Sequence, residues 1–582
     1  MANVTTHHNN NSRTGANTAE TILRPSNVNT STFGKLYERH VEGDVYTQPL
    51  YVRGVATALG TRNLFFVGTS TNMVYAFDAD NLNTNPATPA VWSRRLKPFR
   101  ILTDNEICRE TVGSVGITST PVIDTATGIM YVVSRSSTPS PGGVGDGDTF
   151  LHALDIRNGA ERPGSPVKVS ASVPGTGPLT GSTIVFDVRF QRNRPALLLQ
   201  GGVVYLAFGT FSCDAGPYRG WVIGYRTSDL ARVATFCTTT AAQGAGIWQS
   251  GGGLVGSSTG HIYFATGNEF LIGGSPAPGT PGNLGDTVVR LQAISTAPGL
   301  QLAGSFTPRN AVFLRDGYGT PEQFGDTDLG SGSPTLLPGN VLVMGGKQGR
   351  IYVMDATTMA LRQDSSTPGQ QPPDWQLAGF NPDHIGEGFQ AYYNLHMETN
   401  PRTPRALDNY ASSEHWGCNI HGNPIYWAGT GCIYHMAEKD HLKAFRYDPT
   451  TRTVTYSVDP DPVSRAILPF GESTEAPNQG MPGGACSISA NGNTDGIVWV
   501  SYPQADGQWQ KVPGFLVAYA AVPGGAGGRT LTELWRDSSP VLFAKFNPPT
   551  IADGKVLRAT FAPNAANNSY NGPASVVVYG LK

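Results

Sequence analysis

Along most of the chain, apolar and polar residues alternate in short runs of five to eight, with Gly or Pro at the breaks. Residues 45–95 carry the unit most clearly. QPLYV, NLFFVGTS (63–70), NMVYAFDAD (72–80) and PAVWSRR (89–95) read as four consecutive strands. In the third, Val74, Ala76 and Asp78 fall on one face and Tyr75 and Phe77 on the other, the period of two that a sheet packed between neighbouring sheets needs. The pattern recurs as GGVVYLAFG with GWVIGYR, GNVLVMGG with GRIYVMD, and GIVWVSYP with GFLVAYA.

Eight Gly- or Pro-marked lead-ins open such units: TQPLYV (47–52), STPVID (119–124), NRPALLL (193–199), SGGGLVG (250–256), GSPTLL (332–337), GNPIYW (422–427), PGGACSI (482–488) and NPPTIAD (547–553). A repeat of this length, returning to the same short strand, is the mark of a radial β architecture. The expectation is an all-β protein, a single eight-bladed β-propeller of four-stranded antiparallel blades, with seven blades as the alternative. SVVVYGL (575–581) ends the chain as a third strand, and FGKLYERHV (33–41) precedes the first lead-in as an orphan fourth strand. Pairing these two would close the ring and remove free sheet edges. Residues 1–32 then form an N-terminal extension, 33–582 the propeller, and about 356–413 a long loop insertion. Trp92, Trp375 and Trp535 fall near fourth strands, either as docking rings against the next blade or as ordinary core aromatics.

Composition adjusts this picture in a few places. The 71 Gly and 43 Pro are spread along the chain, favouring many tight turns. A net charge of −2 with 14% charged residues gives no reason to expect nucleic acid or an anionic membrane as partner. No apolar run is long enough for a transmembrane segment. MANVTTHHNNNSRTG has no apolar stretch that reads as a secretory signal, while the low Lys content and the abundance of Asn, Thr and Ser fit an extracytoplasmic or secreted protein. The six cysteines include no CxxC pair and no CxxCH, so neither zinc nor haem is expected. Cys418 with Cys432, and Cys213 with Cys237, are candidate disulfides.

The segments GIWQSGGGLVGSSTGHIYFATGN (246–268), DTDLGSGSP (326–334) and GGKQGRIYVMD (345–355) resemble the quinoprotein alcohol dehydrogenases, eight-bladed propellers that hold pyrroloquinoline quinone (PQQ) and usually a calcium ion on the axis. The likeness in architecture covers most of the chain; the site-bearing part is confined to about 246–355, with an echo in CDAGPYRGW (213–221). The resemblance implies Asn268 and Asp328 as metal ligands, Asp328 also as catalytic base, Lys347 against the quinone carbonyls, and Trp248 as the ring beneath the cofactor. These residue types suit the chemistry: a flat tricarboxylate needs an aromatic floor and cations, and a hard ion needs oxygen ligands. The chain also departs from the family. The vicinal cysteine pair is absent, with Cys108 standing alone. Ala215, beside Asp214, occupies the approximate place of a calcium-ligating glutamate. A second family glutamate is replaced around Tyr46 to Gln48, and Thr327 precedes Asp328 where the family has tryptophan.

Further axial candidates stand at strand lead-ins. His415 and His421 in EHWGCNIHGNPIYW are the densest ligand-capable patch, either metal ligands or hydrogen-bonded structural histidines. His396 and Glu398 lie in the long insertion. Arg194, Lys545 and Asn547 could line a channel that takes an anionic ligand, or stand as solvated rim residues. Two functions follow: oxidation of an alcohol, aldose or polyol with PQQ and calcium, or a non-catalytic propeller that binds glycans or protein partners. In either case a small-molecule or carbohydrate ligand enters the axial funnel. A lyase or hydrolase using the axial histidines is a third reading.

Overall fold

The computed structural model describes residues 3–99, 114–136, 147–177, 180–211, 216–270, 276–308, 311, 328–347, 351–362, 419–455, 457–458, 467–468, 470–475, 480–537, 539, 541–563 and 573–582. Within these the chain forms eight antiparallel sheets in sequence order, an eight-bladed propeller. The inner strands are Leu50–Thr57, Val122–Asp124, Leu198–Gln200, Val255–Gly256, Thr335–Leu337, Ile425–Trp427, Ala485–Asn491 and Thr550–Ala552. Each coincides with one of the eight lead-ins, because Gly or Pro ends the preceding loop just where the chain must turn into the hub.

Blade 1 continues through Gly60–Gly68, Met73–Asp78 and Trp92–Arg95. Its alternation divides cleanly between two interfaces. Val74 and Ala76 join the core shared with blade 2, whereas Phe77 joins the core shared with blade 8, and Tyr75 packs against the latter. Six further clusters fill the remaining interfaces, so an apolar layer separates every neighbouring pair around the ring. Burial of such layers is the main favourable term in holding the blades together. Trp92 donates its indole N–H to the Ile156 carbonyl of blade 2 at 2.8 Å, and Trp535 meets Phe33 and Tyr579 of blade 8 edge-on. Trp375 lies outside the described residues.

The last blade is closed by the two ends of the chain. Phe33–Val41 pairs antiparallel with Ala574–Leu581, from Phe33 opposite Leu581 to Val41 opposite Ala574. The outer strand of blade 8 therefore comes from the amino-terminal side, as the orphan-strand pattern predicts.

Residues 3–20 take an unexpected path. They run along the inner strands, visiting the blades in order. Val4 exchanges two 2.8 Å backbone bonds with Tyr51 of blade 1, and Thr5 accepts from Ile123 of blade 2. Asn11 donates through its side chain to Leu199 of blade 3 and accepts at its carbonyl from Gly256 of blade 4. Ser12, Thr14 and Gly15 accept from Leu336, Tyr426 and Ile488 of blades 5, 6 and 7, and Asn17 donates to Ile551 of blade 8. The innermost strands, whose hub-facing edges would otherwise lack partners, are satisfied by this segment.

The two expected disulfides need correction. Cys237 and Cys432 are free, buried thiols. Cys237 closes the outer strand of blade 3 with Sγ donating to the Thr239 carbonyl at 3.4 Å, and burial pushes its pKa up to about 12. Cys432 sits inside the blade 6 core. Their supposed mates, Cys213 and Cys418, lie outside the described residues, as do Cys108 and the span 363–418 that holds most of the insertion. Among the described residues no helix is long and apolar enough to cross a membrane.

Candidate functional site

Three residues singled out by motif meet at one turn. Asp328 precedes the short 3-10 turn Leu329–Ser331. Its Oδ1 accepts from the Asn268 backbone N–H at 3.0 Å, and its Oδ2 lies 3.1 Å from Lys347 Nζ. Lys347 also donates its backbone N–H to the Asp328 carbonyl at 2.9 Å. The glycines of the three motifs make the convergence possible. A Cβ on Gly330 would stand 2.3 Å from the Gly267 nitrogen, a distance no real side chain tolerates. Gly330→Ala is therefore expected to lower stability by about 3 kcal/mol, the upper end of overpacking costs, measured as a fall in the urea midpoint at constant m.

Behind the turn lies a buried acidic group. Asp286 is 0% exposed; its Oδ1 accepts from the Leu329 N–H at 2.9 Å, and its Oδ2 has no hydrogen-bond partner. Burial, reinforced by the charges of Asp328 and Glu269, raises its pKa well above the ordinary carboxylate value. Glu269, 2% exposed, adjoins Asn268.

Trp248 stands two residues before Ser250, on the chain that runs beside Asn268 through the Ala245 N–H to Asn268 carbonyl bond. The Arg192 and Arg194 guanidiniums lie 5.5 and 5.9 Å from its ring centroid. Arg194 is buried, donates to the Thr118 carbonyl at 2.9 Å and lies 5.3 Å from the Phe546 ring. Lys545 and Asn547 are buried too. Lys545 Nζ donates to the Gln508 carbonyl at 2.8 Å. Asn547 Nδ2 donates to Val45 and Thr47 carbonyls, tying blade 8 to the approach of blade 1. The solvated-rim reading fails for all three, because they sit inside the hub.

His421 is brought into the hub, whereas His415, His396 and Glu398 lie outside the described residues. His421 Nδ1 is 3.1 Å from Ser250 Oγ, and Nε2 is 2.6 Å from Glu438 Oε1. Among the described residues no group of three or more His, Cys, Asp or Glu could hold a metal ion. Beside His421 runs a small axial cavity, lined among others by His7, His8, Ser250, Asn423 and Phe546.

Comparison with solved structures gives the same architecture. The chain superposes over its whole length on 80% of the quinohemoprotein alcohol dehydrogenase ADHIIG of Pseudomonas putida HK5, with a TM-score of 0.54 at 15% identity. The quinohemoprotein alcohol dehydrogenase of Comamonas testosteroni matches with a TM-score of 0.54 at 14% identity, over 99% of this chain and 80% of that one. A europium-containing methanol dehydrogenase matches with a TM-score of 0.51 at 12% identity, over 100% and 98% of the two chains. The eight-bladed β-propeller fold is shared with these proteins. No protein-family model matches the sequence, and no curated protein sequence matches it.

In this propeller, several hub residues escape sequence reading. Glu438, Asp286, Arg192, His7 and His8 carry no motif of their own, and Ser250, though inside SGGGLVG, is read there only as a strand lead-in. Only the Gly run after Ser250 and the doubled histidine near the amino end are visible signals.

Proposed function

We propose that the turn joining Asn268, Asp328 and Lys347 is a cofactor site for PQQ and calcium, and that the protein is an extracytoplasmic dehydrogenase-like oxidoreductase acting on an alcohol, aldose or polyol. The observation that carries the reading is the contact of all three motif residues, which lie 60 and 19 positions from Asp328 in sequence. Asp286 Oδ2 is a buried oxygen without a hydrogen-bond partner, and the Asp328 and Glu269 charges bear on it, a concentration of negative charge that a hard cation would relieve. Trp248 supplies an aromatic floor, and Arg192, Arg194 and Lys347 supply cations for the acid groups of a tricarboxylate.

When bound, PQQ would accept two electrons from the substrate carbon. In this reading Asp328 takes the substrate hydroxyl proton on Oδ2, and Lys347 keeps that carboxylate ionised and oriented. Asn268 fixes the other carboxylate oxygen through its backbone N–H. The extracytoplasmic placement rests on composition.

The test is titration of the purified full chain with PQQ and calcium, read by tryptophan quenching and by dye reduction with an alcohol panel. Wild type is expected to bind, and Lys347→Ala to bind at least tenfold more weakly. Dye reduction should fall about a hundredfold or more in Asp328→Asn. No quenching up to millimolar PQQ would overturn the reading and favour the non-catalytic propeller that binds glycans or protein partners.

A further inference from the structure

The hub holds a second constellation, Ser250, His421 and Glu438, that the quinone reading does not use, although Arg194 borders both. Ser250 sits in the left-handed region at φ 47° and ψ 36°, directly after Gln249 at φ 52°. Two consecutive non-glycine residues there are strained, and such strain persists only where surrounding structure enforces it. Here the enforcing contacts are the Ser250 Oγ bond to the Ser331 carbonyl at 2.7 Å and the Gln249 side-chain bonds to Gly252 and Ala265. The result presents Ser250 to the axial cavity beside His421.

Hydrogen bonding sets the tautomer of His421. The Glu438 carboxylate, 4% exposed, lies 2.6 Å from Nε2 and serves as its acceptor, so the ring proton sits on Nε2. Nδ1 is then a lone-pair acceptor, and it faces Ser250 Oγ at 3.1 Å. The serine hydroxyl has two acceptors within reach, the Ser331 carbonyl and His421 Nδ1. Rotation to the second completes a serine–histidine–carboxylate relay. Glu438 is itself held by its backbone N–H to the Asn419 carbonyl and by the Asn419 side chain.

The cavity is made for a polar occupant. His7 Nδ1, His8 Nδ1 and Asn423 Oδ1 belong to its lining, are buried, and have no hydrogen-bond partner. The Arg194 guanidinium packs against Gly251, the residue after the serine: a Cβ there would lie 2.3 Å from Nη1. A fixed cation so placed favours negative charge developing beside Ser250.

We propose that Ser250, His421 and Glu438 form an acyl-transfer site that hydrolyses small carboxylic esters bearing an anionic group. Ser250 Oγ attacks the ester carbonyl carbon as its proton passes to His421 Nδ1. The carbon–alkoxide bond then breaks, and the alkoxide leaves as an alcohol with that proton. Water attacks the acyl-serine, gives one proton to Nδ1 and releases the carboxylic acid, and the proton on Nδ1 returns to Ser250 Oγ. No oxidant or reductant takes part. Glu438 holds the imidazolium, and Arg194 draws the anionic ester.

The test is incubation of the full chain, without added quinone, with diisopropyl fluorophosphate, followed by peptide mapping. The expected result is a single phosphoryl adduct on Ser250, absent from Ser250→Ala and His421→Gln. Hydrolysis of 4-nitrophenyl hydrogen succinate should exceed that of 4-nitrophenyl acetate at least tenfold in kcat/KM, fall about a hundredfold or more in His421→Gln, and lose its anion preference in Arg194→Met. An adduct on another residue, or none on folded wild-type protein, overturns the proposal; that mapping needs no variant to fold. Because no quinone is present, this outcome is independent of the PQQ titration.

Discussion

Arg13→Met is expected to destabilise the protein by about 3–5 kcal/mol. Arg13 is 0% exposed and makes four hydrogen bonds at the hub. Nε donates to the Leu254 carbonyl at 2.9 Å, Nη2 to Leu197 at 3.0 Å, and Nη1 to Thr6 Oγ1 at 2.6 Å and to the His7 carbonyl at 2.8 Å. One side chain thereby pins the amino-terminal segment to the inner edges of blades 3 and 4. Methionine keeps much of the volume and removes every donor, leaving three carbonyls and a hydroxyl buried without partners. Each such group costs roughly 1–3 kcal/mol, partly relieved if water enters. The loss should appear as a lower urea midpoint. Earlier hydrogen exchange should follow at Tyr51, Ile123, Gly256, Leu336, Tyr426 and Ile488, whose amides donate to residues 4, 5, 11, 12, 14 and 15. A change below about 1 kcal/mol with unaltered exchange would mean that the segment is not part of the cooperative unit.

The blades were legible because their signals are local. Each inner strand follows a Gly or Pro that must sit at a turn, and each buried strand alternates in a way that only two-sided packing requires, as Val74 and Phe77 illustrate by entering different cores. Closure was legible for the same reason: FGKLYERHV has strand character and no neighbour in sequence to pair with. The Asp328 turn was read in TGN, DLGSG and GGK only through the family resemblance; the structure adds that Gly267, Gly330 and Gly346 are what let these segments meet.

The hub was not legible. Residues 3–20 bind mainly through backbone groups, which leave no imprint on side-chain pattern, so MANVTTHHNNNSRTG reads as a polar tail. Ser250 and His421 are 171 positions apart, and His421 and Glu438 are 17 apart on different connections. Only closing the ring brings them together. The disulfides failed because a cysteine beside a strand end has the same spacing whether it pairs or packs. Cys237 and Cys432 pack, as small apolar groups.

Acid should unfold this protein through its hub histidines. Burial first, and the nearby Arg13 charge second, lower the His8 pKa to about 3, and burial with His421 alongside lowers His435 to about 3. His7 is lowered well below the ordinary value by burial, His8, Arg13 and Arg194. Unfolded, each imidazole takes a proton near 6.5. Between pH 6.5 and 3 the unfolded chain therefore binds more protons than the folded one, and stability falls as pH falls, by up to about 1.4 kcal/mol per pH unit for each histidine. Buried carboxylates act in the opposite sense: Asp286 and Asp44 have raised values, so the folded state binds their protons first and gains stability as pH falls. The difference between variants isolates the histidines from this offset. His8→Asn suits the left-handed backbone at that position, φ 53°, and His435→Gln keeps a polar strand residue. Together they should flatten the slope of unfolding free energy against pH by about 2.7 kcal/mol per unit between pH 6 and 4. Urea titrations of wild type and the double variant across that window supply the measurement. Parallel slopes would show that these imidazoles are solvated or already charged in the folded state. That result would also remove the neutral, partner-seeking lining on which the axial cavity's taste for a polar ligand depends.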